Sequence, residues 1–135
     1  MLRCSILPNL LEILSINTHR DLPQRLFEVG QVMVNFKERY MLAAVSTHAH
    51  ANFAEVKSVV EAVLTEMGMT EINVVDSEDG AFLEGRRADI ILGKQTIGVF
   101  GELHPEVILN FGLDHPVVGF EMDIGSSNAG EAGDI

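Results

Sequence analysis

The spacing of apolar positions along this chain changes several times, from helical to alternating and back, and each change marks a separate element. From Pro8 to about Asn17, Leu10, Leu11 and Leu14 share one helical face, with Pro8 suited to the first turn and Ser5 and Asn9 only loose caps. Arg25 to Val34 reads as a strand through Leu26, Val29 and Val32, although the alternation is imperfect around Gly30. Met41 to Thr47 is a second strand across the polar turn Asn35 to Arg39, and two strands so close together form an antiparallel hairpin. The clearest element follows. Asn52, with Glu55 three residues on, makes a start resembling a capping box, then Phe53, Val56, Val59, Val60, Val63, Leu64 and Met67 repeat at helical spacing until Gly68. Burying each of those side chains is worth roughly 1.5–3 kcal/mol before entropy is subtracted, so this helix must lie on a sheet or on another helix.

Shorter elements complete the chain. Ile72 to Val75 is a strand, and Ala88 to Leu92 and Thr96 to Phe100 flank the turn Gly93-Lys94-Gln95. His104-Pro105 opens a short helix that stops at Gly112, and Val117 to Ile124 is the last strand. Hairpins outnumber crossovers, which predicts an α+β fold: an antiparallel sheet with helices packed on one face. Residues 1–125 are expected to form one domain. The small and polar run Ser126 to Ile135 is expected to be a flexible tail.

Composition narrows the function. A chain of 135 residues holds one hydrophobic core, and 47% hydrophobic residues suit a globular protein. Nine basic against 20 acidic residues give a net charge of −11, and a chain that acidic repels phosphate backbones. An autonomous nucleic-acid binder is therefore excluded as the leading reading. Cys4 is the only cysteine, which rules out an internal disulfide and a cysteine-based zinc site and fits a reducing cytosol. No apolar stretch reaches the roughly 20 residues that span a bilayer, so a soluble protein is expected.

Candidate chemistry is sparse. His48 and His50, two apart on an extended segment, would point the same way, but zinc needs further ligands that no diagnostic spacing supplies. Cys4 with His19 or His104 would make a nucleophile and base, whereas a lone thiol in an apolar stretch is ordinarily a small core side chain. Gly125 to Gly130 has the spacing of a phosphate loop, yet Glu131 stands where that motif needs lysine. Arg86 and Arg87, after Gly85, are candidate contacts to an anion; the alternative is ion pairing with the abundant carboxylates.

Several segments, in order, resemble one family. Leu2-Arg3-Cys4-Ser5-Ile6-Leu7-Pro8-Asn9-Leu10-Leu11 is similar to the "LR-x-SLLPGLL" signature of phenylalanyl-tRNA synthetase β subunits of the archaeal and eukaryotic type. Asp21 to Gly30 resembles the following "PQ+xFExG" strand, Phe53 to Lys57 the "FxExK" helix start, and Glu84 to Ala88 the "xGRxA" turn. Gly98 to Val107 looks like "GxxGExHPEV", and Phe120 to Ile124 like the final "FExDL" strand. Together the matches run from Leu2 to Ile124.

The resemblance implies a class II aminoacyl-tRNA synthetase-like core, here truncated at its N-terminus, in a cytoplasmic β subunit. In that family the β subunit carries a copy of the catalytic fold without its chemistry and docks on the catalytic α subunit in an (αβ)2 assembly. By the same resemblance no cofactor belongs to this domain, ATP and Mg²⁺ are used by the α subunit, and tRNA contact is indirect or minor. Class II catalysis needs an arginine on the second-motif strand, where Val34 falls, and another at the third motif, whereas no Lys or Arg follows Lys94. Lys37 and Arg39, in the expected hairpin turn, are the only nearby replacements. With the first class II motif missing, Leu10, Leu11 and Leu14, or a neighbouring sheet edge, are the expected interface. Two other readings compete: a free-standing synthetase paralogue that regulates or binds amino acids, and a small metal-dependent hydrolase using His48, His50 or His104.

Overall fold

The computed structural model describes residues 6–18 and 20–126. Its elements run α1 (Leu7–Ile16), β1 (Gln24–Val34), β2 (Lys37–Thr47), α2 (Phe53–Glu66), β3 (Ile72–Asp76), β4 (Phe82–Leu92), β5 (Gln95–Leu103), α3 (Pro105–Asn110) and β6 (Val117–Ser126). The six strands make one sheet in the order β1-β2-β6-β5-β4-β3, antiparallel throughout. The last strand in sequence thus enters the middle of the sheet, between two hairpins. Ser126 ends β6 rather than opening a tail, and residues 127–135, like Cys4 and His19, lie outside the described residues.

Helices cover both faces of the sheet, not one. On one side Leu7, Leu10, Leu11 and Leu14 of α1 pack with Met41, Ala43, Val45, Phe82, Val99 and Leu103, joined by Val107, Ile108 and Phe111 from α3 and the turn after it. On the other, Val56, Val60 and Leu64 of α2 pack with Ala88, Ile90, Phe100, Phe120 and Met122. The period-two geometry of β2 divides its side chains between the two cores: Met41, Ala43 and Val45 go to the first, Leu42 and Ala44 to the second. A sheet sandwiched in this way reads as continuous apolar runs at its centre, as Val117 to Phe120 does.

Turn chemistry explains the boundaries that differ from the sequence pattern. The β1–β2 hairpin closes on Asn35 and Phe36 alone, both at positive φ, so Lys37 to Arg39 belong to β2 and not to a loop. Around Arg86 and Arg87 the chain forms a bulge in β4 rather than a turn before it, with Gly85 at φ 81°. Gly101 lies opposite. A Cβ there would collide with the Arg86 carbonyl oxygen, which fixes glycine at that position.

The helices are capped in different ways. In α2, Asn52 Oδ1 accepts the Glu55 N–H at 3.0 Å, and Glu102 on β5 accepts the Phe53 N–H at 2.9 Å. Phe53 also stacks on Phe100 with centroids 5.3 Å apart. By contrast, α1 has no side-chain cap of its own. Its first N–H groups donate to a carboxylate on β6: Ile6 N to Glu121 Oε2 at 2.8 Å and Leu7 N to the same oxygen at 2.9 Å. Glu121 is completely buried, and this carboxylate supplies from the sheet an acceptor for the start of α1.

Replacing Glu121 by Ala leaves those two N–H groups without that acceptor. At about 1–3 kcal/mol for each unsatisfied group, the loss of stability is expected to reach at least about 2 kcal/mol. Glu121→Gln, which keeps an acceptor oxygen, should lose less. Urea unfolding followed by circular dichroism checks both. Equal, negligible shifts for the two variants would show that α1 is held by apolar packing alone.

Candidate functional site

The two strands on which the resemblance placed cations, β1 and β6, lie on either side of β2. Val34 ends β1, opposite Lys37 in the hairpin register. On β6 the corresponding strand carries acids: Glu121 caps α1, and Asp123 forms a bidentate pair with Arg39. Arg39 Nε lies 3.0 Å from Asp123 Oδ2, and Arg39 Nη2 lies 2.9 Å from Oδ1. Asp123 also accepts the Gly125 N–H at 2.8 Å. Arg39, which the sequence left as a possible phosphate contact, is therefore committed to a buried carboxylate, and two parallel charged hydrogen bonds fix it there.

Arg86 and Arg87 divide between two structural tasks. Arg86 Nη1 meets Glu102 Oε2 at 3.1 Å, the same oxygen that holds the start of α2. Arg87 Nη1 donates to the carbonyls of Asp79 and Phe82, at 2.9 and 3.2 Å, and so braces the loop before β4. Arg86 is thus placed against a carboxylate and Arg87 against backbone carbonyls.

The histidines do not converge. β2 ends at Thr47 and the chain turns through 48–50, so the extended geometry that would align His48 with His50 is absent. His48 Nε2 instead pairs with Glu55 Oε1 at 2.6 Å, while its Nδ1 accepts the His50 N–H at 3.2 Å. His104 caps α3, with Nδ1 accepting the Glu106 N–H at 3.1 Å. Among the described residues no group of three or more His, Cys, Asp or Glu side chains is placed to hold a metal ion.

Leu10, Leu11 and Leu14 are 2%, 3% and 1% exposed, turned into the core by the helix that was expected to present them. Open apolar surface lies instead on the edge strand. Phe27, Val29 and Met33 of β1 are 77%, 53% and 63% exposed, on the face opposite α1. Because α2 packs over β5 and β6, the β1–β2 part of that face stays uncovered. Val59 is consequently left half exposed although its spacing placed it in the core. A cavity of about 490 Å³ results, floored by Phe27, Leu42, Ala44 and Phe120 and walled by Val59 and Val63. Of these, Val29 was named by the sequence pattern only as a strand position, and a sheet edge was the expected alternative to the α1 leucines, whereas Phe27 and Met33 were not singled out. The signal was present in the overlong apolar content of a strand with one side at the sheet edge. Glu121 and Asp123 were equally legible as two acids inside an otherwise apolar strand.

The amino-acid sequence matches the model of the phenylalanyl tRNA synthetase beta chain CLM domain over residues 1–124. The chain belongs to this family. It is 59% identical over 124 residues to the phenylalanine–tRNA ligase β subunit of Methanococcoides burtonii, covering 92% of this chain and 23% of that protein. The corresponding subunits of Methanosarcina acetivorans and Archaeoglobus fulgidus are 56% and 52% identical, over 92% of this chain and 23% and 22% of theirs. The chain thus spans about a quarter of these relatives. Among solved structures, a pyrrolysyl tRNA synthetase from Desulfitobacterium hafniense matches with a TM-score of 0.70 at 19% identity, over 90% of this chain and 47% of that one. The α+β fold of this CLM-family domain, an antiparallel sheet flanked by helices, resembles the fold of that synthetase. No described helix is long and apolar enough to cross a membrane.

At one end of the open face of this CLM-family domain, Ser46 Oγ donates to Glu55 Oε2 at 2.8 Å, opposite the His48 contact. Partial burial pushes the Glu55 pKa up, but the hydrogen bonds from Ser46 and His48 and the charges of His48 and Arg25 outweigh it and hold the carboxyl below its ordinary 4.5. A depressed folded-state pKa means stability that is present above the unfolded value and lost as pH falls through the folded one. Glu55→Gln should therefore be less stable than wild type at neutral pH, with the gap closing as pH falls below about 4.5. Urea midpoints measured from pH 7 to pH 3 check this. A gap that stays constant across the range would show that the ionised carboxylate contributes nothing.

Proposed function

We propose that this domain is a non-catalytic part of a phenylalanyl-tRNA synthetase β subunit, working in the cytoplasm and supporting attachment of phenylalanine to tRNA by docking on the catalytic α subunit. The observation that carries the reading is the fate of the charges. Where an ATP site needs cations, β1 ends in Val34, β6 carries Glu121 and Asp123, and Arg39 is neutralised by Asp123. A triphosphate brought to that sheet would meet buried carboxylates in place of the charge-assisted donors that hold it and stabilise its reaction. ATP and Mg²⁺ belong in this reading to the α subunit, and the (αβ)2 assembly follows the family.

Docking is supported by the open face of β1 and β2. An apolar area that large on one strand, rimmed by polar residues, is the kind of surface proteins use to associate. Phe27, Val29 and Met33 provide it, in place of the buried α1 leucines.

Two missing charged hydrogen bonds, at roughly 1.5–3 kcal/mol each, cost at least about 3 kcal/mol, more than a hundredfold in rate. The chain alone is expected to show no phenylalanine-dependent exchange of pyrophosphate into ATP. Exchange above background that disappears in a Lys37→Ala/Arg39→Ala variant would overturn the inactive reading. Mixed with the α subunit, the chain is expected to form a complex that Phe27→Glu weakens more than tenfold, measured by sedimentation. A chain that stays monomeric and leaves the α subunit unbound would overturn docking.

A further inference from the structure

We draw no further inference here: the strongest candidate, the apolar cavity of about 490 Å³ between the β1–β2 part of the sheet and the flank of α2, carries none, because nothing in the structure shows what covers it.

Discussion

Glu121 sits at the centre of the sheet, without exposure to water, and offers one oxygen to the first two N–H groups described at the start of α1. A carboxylate in such a place is tolerable only when hydrogen bonds and favourable dipoles replace its hydration. The N-terminus of a helix supplies both, since its N–H groups are unpaired and its dipole presents positive charge. The benefit runs in both directions: α1 has no side-chain cap of its own, and its N–H groups hydrogen-bond the buried acid of β6. This contact ties residues more than a hundred positions apart and orients α1 so that Leu7, Leu10, Leu11 and Leu14 fill one side of the sheet.

The same strand carries Asp123 two residues on, and there the partner is Arg39 from β2. Between them the two acids turn the middle of the sheet into a place where negative charge is spent on internal structure. That is the opposite of what binding a nucleotide phosphate requires. Arg86 on Glu102, and Glu102 on the start of α2, follow the same pattern: polar groups are used to fasten helices to strands. The chemistry-bearing residues of this chain are, in large part, its joints.

The two faces of the sheet differ in how they are closed. The side under α1 and α3 takes side chains from β1, β2, β4, β5 and β6, whereas the core under α2 reaches only as far as the partly buried Leu42 and Ala44 of β2 and takes nothing from β1. The uncovered part carries Phe27, Val29, Met33 and the flank of α2 at Val59.

Much of the architecture was legible in the chain. Helical spacing located α1 and α2 to within a residue or so, Asn52 and Gly68 marked the ends of α2, and alternation with turn residues placed all six strands. Those signals are local, since they depend on a residue's own backbone preferences and its neighbours within one turn or one pleat. The ordered family motifs, and the absence of cations at Val34 and after Lys94, were also properties of sequence. What the sequence could not fix was which side chains end up facing water. Leu10, Leu11 and Leu14 form an apolar face whether or not anything covers it, and only the sheet beneath α1 decides that they are buried. Phe27 and Val29 look like core by composition, but β1 is the edge strand and α2 lies too far across the sheet to cover them. Arg39 looked like a loop cation until a two-residue turn placed it in β2, within reach of Asp123. Exposure and ion pairing are set by which distant elements pack together, and that depends on the order in which the strands join the sheet, a non-local property that no single segment encodes.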